Sequence, residues 1–171
     1  MRAVIRDAHI PGWIENVRYA PHFRVYAAMK GEIDRVDVHP MQTDAPVATV
    51  SRGPEGRLWG VVPEGWSAAL VGSSGPWSAD LINMGDDEAI KTLWERAREI
   101  DPGLFELGDA EVIVPIRWDE AVPVFSPGRF KEVKGFKQSP PLVFAGDWLV
   151  QPCIEGAVRS GLAAAATFGG A

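Results

Sequence analysis

Proline and glycine limit this chain more than any other feature, because 14 prolines and 18 glycines are spread along its 171 residues. Proline breaks helices and is confined to the edges of sheets, and glycine weakens the interior of both. Frequent turns and short elements are therefore expected. An apolar fraction of 46% is enough for a sizeable core, which predicts one domain or a domain with a small extension.

Residues 17 to about 74 have the patterns of β-strands. Residues 23–29 alternate and end at a Lys-Gly turn signal, and residues 66–71 form a second apolar run. Between them, two β-rich runs at 47–52 and 57–62 flank a Gly-Pro-x-Gly loop, which predicts a hairpin. This region therefore predicts a mainly antiparallel sheet.

The rest of the chain alternates between helix and strand signals. Residues 86–100 read as a helix whose first turn Asp86 and Asp87 cap and charge, followed by a strand at 110–118. A short buried strand at 141–147 then leads to a last helix that Pro152 opens. The apolar side chains that fall on one face of the first helix are Ile90, Leu93, Trp94, Ala97 and Ile100.

Charge and missing motifs exclude several functions. The formal net charge of −6 makes the chain a poor partner for nucleic acid. No apolar run reaches 18 residues, so no membrane span is expected, and the N-terminus lacks the apolar stretch of a signal peptide. Cys153 is the only cysteine, which excludes an intramolecular disulfide and a cysteine-based zinc site. We expect a soluble cytoplasmic protein in which the three scattered histidines, His9, His22 and His39, are ordinary surface or core residues.

The stretch 143–166 is the part of the sequence that points to chemistry. It is read as a strand, a Gly-Asp turn, a short connection and a glycine-rich helix. Asp147 at the strand end can accept hydrogen bonds from a hydroxylated ligand, and the helix N-terminus offers free N–H groups. Gly156 would let a flat ligand lie against the backbone, and Cys153 is expected to be buried as a small apolar residue. The alternative is a plain turn that caps a packing helix.

This stretch resembles the C-terminal signature of the FAD-dependent amine oxidase superfamily, which includes monoamine and polyamine oxidases, protoporphyrinogen oxidase and phytoene desaturase. The family pattern is an apolar strand ending in F-A-G-D/E and, after a spacer, G-A-I/V-x-S-G-x-x-A-A, here at 144–147 and 156–164. Residues 117–128 also resemble the R-W-x-x-A-x-P-x-Y/F-x-P-G block of bacterial protoporphyrinogen-oxidase-like members. Weaker similarity to the substrate-domain sheet of that family begins near residue 18.

The resemblance implies roles for particular residues. It assigns Asp147 to the ribityl–pyrophosphate region of FAD, with Gly146 allowing close approach. It places the amide of about Ile154 at the flavin N1–C2 carbonyl, where a helix N-terminus stabilises negative charge. Trp118 would border the isoalloxazine, and no catalytic residue is assigned. The cofactor-contacting residues implied are Trp118, Gly146, Asp147, Cys153, Ile154, Gly156 and Ala157.

The resemblance also implies a fold and a division of labour. We expect an α+β chain with a substrate-domain-like antiparallel sheet and one covering helix in residues 1–116. Residues 117–171 would form a flavin-contacting segment, a strand and helix of a FAD-binding layer. The sheet of residues 23–73 would form one wall of the substrate cavity, and the helix at 86–100 would cover that sheet.

The chain also departs from the family pattern. The G-x-G-x-x-G fingerprint that binds the FAD adenosine diphosphate is absent from the sequence. Amine oxidases often carry an aromatic residue where this chain has Cys153, so an amine-binding aromatic cage is not expected.

Two functions follow from these departures. The first is the C-terminal half of a flavin-dependent oxidoreductase, active when an N-terminal FAD-binding partner completes it and binding FAD weakly or not at all alone. The second is a non-catalytic module for ligand binding or subunit interaction, with exposed apolar surface that would drive homo-oligomerisation or pairing.

Overall fold

The computed structural model of the chain is an α+β structure, as the sequence predicts, and it describes residues 10, 12–33, 36–38, 47–54, 62–73, 75–138 and 141–169. Its strands are β1 (Tyr19–Lys30), β2 (Val36–Val38), β3 (Val47–Pro54), β4 (Trp66–Ser73) and β5 (Val112–Pro123). Its helices are α1 (Gly12–Glu15), α2 (Gly75–Asn83), α3 (Asp86–Ile100), α4 (Arg129–Gly135) and α5 (Ile154–Gly169), with 3₁₀ turns at Leu107–Asp109 and Asp147–Leu149.

The strands form a sheet with the order β2-β3-β4-β1-β5. The pairs β1/β4, β2/β3 and β3/β4 are antiparallel, and Val25 lies opposite Val71 in the central pair. The expected strands at 23–29, 47–52 and 66–71 are therefore present. The expected hairpin stays a prediction, because residues 55–61, which contain most of its second strand, lie outside the described residues.

One face of the sheet is covered by α3. Alternate residues of β1, namely Phe23, Val25 and Ala27, point into the core and are buried. Each large apolar side chain removed from water contributes roughly 1.5–3 kcal/mol, so this layer is the main source of stability. The buried face of α3 consists of Ala89, Ile90, Leu93, Trp94 and Ala97.

The ends of α3 differ in detail from the expectation. Gly85 occupies the N-cap position and no side chain caps the helix, so the acidic first turn acts through its charge on the helix dipole rather than as a cap. Ile100, expected on the apolar face, is exposed at the C-terminal end of the helix. The helix ends at Asp101, whose N–H donates to Ala97 O, just before Pro102.

A buried ion pair joins the sheet to the end of α3. The Nε–H of Arg52 on β3 donates to Asp101 Oδ2 at 2.8 Å, and both side chains are almost fully buried. Asp101 Oδ1 also accepts the Gly103 N–H at 3.0 Å. A side chain at position 103 would overlap the Arg52 guanidinium, so glycine is required there by close approach.

Three helices, α1, α2 and α4, were not expected from the sequence. The Gly75-Pro76 pair looks like a turn, but Pro76 lies in the first turn of α2, where its missing N–H has no intrahelical role. Likewise, the Pro127-Gly128 turn leads directly into the short helix α4.

The prediction of a strand at 141–147 is wrong. Leu142 makes a single bridge, and residues 143–145 are irregular. The reason is that a strand needs a neighbouring strand for its backbone groups, whereas here the Phe144 N–H donates to the side chain of Gln138. The last helix, α5, forms as predicted and begins two residues after Pro152.

The chain divides into two compact units. One unit comprises Ala20–Ala121 and contains the sheet core, α2 and α3. The other comprises the described residues of Met1–Tyr19 and of Val122–Ala171, with α1, α4 and α5. The sequence-based division into 1–116 and 117–171 stays a prediction. Among the described residues, no helix has the length and apolar character needed to cross a membrane.

Candidate functional site

The Gly-Asp turn is held against the last helix. The Gly146 N–H donates to Ser160 Oγ at 2.8 Å, and Ser160 is a buried residue of α5. Gly146 O accepts the Leu149 N–H and Asp147 O accepts the Val150 N–H, and these two hydrogen bonds form the 3₁₀ turn Asp147–Leu149. The structure therefore brings Gly146 and Asp147 together with the helix that carries the other cofactor candidates of this unit.

Gly146 and Asp147 differ in what they leave available. A side chain at Gly146 would overlap the indole of Trp148, so the close approach of that ring requires glycine. Asp147 is half-buried, and its Oδ1 accepts the Trp148 N–H at 3.0 Å. Its Oδ2 has no hydrogen-bond partner among the described residues and can accept one from a hydroxyl group.

Cys153 forms the start of α5. Its Sγ accepts the Gly156 N–H at 3.4 Å and a hydrogen bond from the Gln151 side chain at 3.0 Å, and its carbonyl accepts the Ala157 N–H. The expectation that Cys153 is buried is wrong: it is exposed, because it caps the helix from outside its first turn. Ile154, which follows it, is 85% exposed.

Gly156 has a structural reason to be glycine. A side chain there would overlap the carbonyl of Gln151, which lies directly against the helix. The space beside Gly156 is thus filled by the chain itself, and the buried residue offers no open backbone to a flat ligand. Ala157, the next residue, is exposed.

The outward face of α5 is apolar and uncovered by the described residues. Ile154, Val158 and Leu162 repeat at four-residue spacing, and Val158 and Leu162 are 54% and 67% exposed. We call these three residues the α5 stripe. The opposite side of the helix buries the small residues Gly156 and Ser160 against the turn. A helix of this kind is apolar on a side where a soluble helix normally carries polar residues.

The same unit contains a buried guanidinium. Arg129 of α4 lies between the rings of Trp13 and Trp148, with its Cζ 4.3 Å from the centre of the first ring and 5.9 Å from the second. One terminal nitrogen donates to Trp13 O at 3.1 Å, and the other is buried and has no hydrogen-bond partner among the described residues. This arrangement locks α1 to α4 by cation–π and hydrogen-bond contacts.

Trp118, the remaining cofactor candidate, belongs to the other unit. It lies on β5 with its neighbour His22 of β1, and the two rings stack at 6.0 Å between centres. Arg24 of β1 lies over the same indole at 5.6 Å and donates from Nε to His22 Nε2 at 2.7 Å. Burial lowers the pKa of His22 to about 4, and the positive charge of Arg24 adds to the lowering. His22 is therefore neutral at pH 7 and accepts the Arg24 hydrogen bond.

An apolar pocket lies on the same sheet face, opposite α3. It has a volume of about 300 Å³ and is lined almost entirely by apolar atoms. Its walls come from β1, β4 and β5 and from Val62; the main contributors are Tyr26, Ala28, Ala68, Val112, Val114 and Ile116. The pocket and α3 therefore lie on opposite faces of the sheet, and the role of the sheet as a substrate wall stays a prediction.

Arg117, the first residue of the R-W block, has a structural role. Its guanidinium donates to the carbonyls of Leu81, Ile82 and Met84 at 2.6–3.0 Å, which are among the last carbonyls of α2 and the residue after it. It also donates from Nε to Asp86 Oδ1 at 2.8 Å in the first turn of α3. Arg117 thus joins two helices, while the adjacent Trp118 points to the open face.

Sequence reasoning missed the His22–Arg24 pair. The signal was available: in an alternating strand whose odd residues are apolar, His22 and Arg24 share the even face with Tyr26. The spacing of the three histidines in the sequence does not indicate this pair, whereas the face of the strand does. No cluster of metal-ligating side chains occurs in the parts of the chain that the structure describes.

The comparisons with known proteins found a similarity in structure and none in sequence. No protein-family model matches the sequence, and no curated protein sequence matches it. Among solved structures, the chain is similar to the crystal structure of a protein from Exiguobacterium sp. 255-15 that is provisionally named a protoporphyrinogen oxidase, with a TM-score of 0.61 and 16% sequence identity. The similarity covers 90% of this chain and 35% of that chain, so this chain spans about a third of its solved relative. At this identity the likeness is one of fold.

Proposed function

We propose that the chain is the C-terminal, substrate-side part of a flavin-dependent oxidoreductase and works with a FAD-binding Rossmann half that its sequence does not contain. The observation that carries the proposal is the α5 stripe, an exposed apolar face on the helix that packs against the Gly-Asp turn. Exposed contiguous apolar surface of this kind marks an interaction site. The similarity to 35% of a longer oxidase-like chain supports the same conclusion.

The residues present fit a flavin at the start of α5. Asp147 Oδ2 can accept a hydrogen bond from a ribityl hydroxyl, while Oδ1 is held by the Trp148 N–H. The amides of Ile154 and Glu155 have no intrahelical acceptor, since they belong to the first turn, and Ile154 is exposed. They would donate to the flavin ring and stabilise negative charge there. Hydride acceptance from a C–N or C–C bond is the chemistry that FAD supplies when bound.

The other unit would contribute the substrate wall. Its open sheet face carries Trp118 and the apolar pocket, and these groups can orient an apolar substrate and exclude water. We assign Trp118 to the border of the flavin ring on the strength of the sequence resemblance. Gly156 acts in this proposal by letting the Gln151 carbonyl approach the helix, which fixes its first turn.

The test is flavin retention by the complex that the chain forms in cells. The tagged chain is purified natively, desalted, and its visible absorption spectrum is compared with that of the chain produced alone. We expect flavin in the native complex and little in the isolated chain, because the fingerprint contacts are missing. In the complex, Asp147→Ala should weaken flavin binding about tenfold, as expected for loss of one charged hydrogen bond.

Asp109→Ala is the matched control, because Asp109, like Asp147, follows a glycine and belongs to a 3₁₀ turn, but is exposed in the other unit. Unchanged flavin affinity in Asp147→Ala would overturn the role of Asp147. Recovery of a stable homo-oligomer without flavin or a second chain would overturn the proposal in favour of a non-catalytic interaction module.

A further inference from the structure

The apolar pocket has a charged residue beyond each end of its β1 wall, Arg24 at one end and Lys30 at the other. Along β1, Arg24 is the next residue on the same face after the lining residue Tyr26, and along β5, Trp118 is the next after Ile116. A step of two residues spans about 6.6 Å in a strand, so the Arg24–Trp118 pair borders the pocket directly. A ligand that fills the pocket can therefore extend a polar group towards the guanidinium at that end.

The pocket is large enough for a substantial hydrocarbon group. Its volume of about 300 Å³ is roughly twice that of an engineered cavity that holds a benzene ring. Apart from Tyr26, its lining residues are alanine, valine and isoleucine, and almost all of the lining surface is apolar. The part of a ligand that enters it must therefore be apolar.

The two cations of this sheet face differ in their partners. Lys30, at the far end of β1, pairs with Glu111 at 3.2 Å. Arg24 has no carboxylate within ion-pair distance among the described residues, and only its Nε is used, in the bond to His22. Since His22 is neutral, the cluster carries the single positive charge of Arg24, with its terminal nitrogens available for a forked contact.

We propose that the pocket binds an apolar carboxylate, with its hydrocarbon part against Tyr26, Val114 and Ile116 and its carboxylate on the terminal nitrogens of Arg24 beside Trp118. The same geometry disfavours an amine, because an ammonium group would lie next to the guanidinium. The assignment rests on the proposed function only in calling this ligand a substrate, and it deepens that function by naming the substrate class. Binding itself requires neither flavin nor a partner.

The experiment is calorimetric titration of the full chain alone with three probes of equal chain length, decanoate, decanol and decylamine, below their micellar concentrations. We expect one decanoate per chain and binding of decylamine weaker by about tenfold or more. Arg24→Gln should reduce the affinity for decanoate about tenfold and leave decanol unchanged. Val114→Trp, which fills the pocket, should weaken the binding of both decanoate and decanol.

Lys30→Gln is the control for a general loss of positive charge and should bind decanoate like the native chain. Arg24→Lys, with folding checked by circular dichroism, replaces Arg24→Gln if that variant unfolds, and should bind decanoate with an intermediate affinity. No decanoate binding to the native chain, equal binding of decylamine, or undiminished decanoate affinity in Arg24→Gln would each overturn the assignment. None of these outcomes affects the Asp147 flavin test, so the two proposals fail separately.

Discussion

At the scale of single residues, His22 has a pKa well below the ordinary value of a histidine. Its folded pKa of about 4 lies below the ordinary value of 6.5, because burial and Arg24 disfavour the charged form. The unfolded chain therefore binds more protons between these values, and the contribution of neutral His22 to stability is full above pH 6.5 and lost as the pH falls towards 4. With allowance for partial exposure, the loss is roughly 1–2 kcal/mol.

This prediction is checked by urea unfolding of the native chain and His22→Gln at pH 7.5 and pH 4.5. Glutamine keeps an acceptor for the Arg24 hydrogen bond but does not titrate, so the variant should lose less stability than the native chain over this interval. Carboxylates titrate equally in both proteins and cancel in the comparison. Equal losses would contradict the low pKa of His22.

Individual residues also mark where sequence reasoning succeeds and where it stops. Periodicity identified the buried residues Leu93 and Trp94 of α3, because helical spacing determines which side chains share a face. It could not assign Arg117 to the carbonyls of α2, 33–36 residues earlier in the chain, because that contact depends on tertiary folding. Its neighbour Trp118 was singled out by resemblance alone.

At the scale of elements, a hydrogen bond to a buried serine joins the Gly-Asp turn to α5. Ser160→Ala removes the acceptor of the Gly146 N–H in a buried position, which costs about 1–3 kcal/mol of local stability. Exchange of the Gly146 amide, followed by NMR, should accelerate about tenfold to a hundredfold. Thr167→Ala, an exposed change on the same helix, should leave that rate unchanged. If the Gly146 amide exchanges at the same rate in Ser160→Ala and Thr167→Ala, the turn is held by other contacts.

The elements themselves were predicted with uneven success, for physical reasons. The helix at 86–100 and the strands at 23–29 and 66–71 have strong local periodicity and were found. The helix α2 was missed because proline at a helix start looks like proline in a turn. The strand expected at 141–147 failed because an apolar run becomes a strand only beside a neighbour.

At the scale of the whole molecule, the α+β class followed from the sequence, whereas the division into units did not. The buried apolar cluster, from Phe23 to Phe105, lies entirely within Ala20–Ala121. The grouping of the described residues before Ala20 with those after Ala121 arises from contacts between segments more than 100 residues apart, such as that of Arg129 with Trp13. Local patterns cannot report contacts over that separation.

This unequal distribution of apolar burial leads to a prediction for the full chain. Hydrogen–deuterium exchange should be orders of magnitude slower in β4 and α3, which contribute to the buried cluster, than in α5, whose α5 stripe faces solvent. Adding the flavin-containing partner should slow exchange in α5 and leave β4 unchanged. If α5 is already slow in the isolated chain, repeating the measurement at tenfold lower concentration separates two causes. Protection that falls on dilution means that a second copy covers the stripe, which would favour the interaction module over the oxidoreductase, because a face occupied by the chain itself is not reserved for a FAD-binding half.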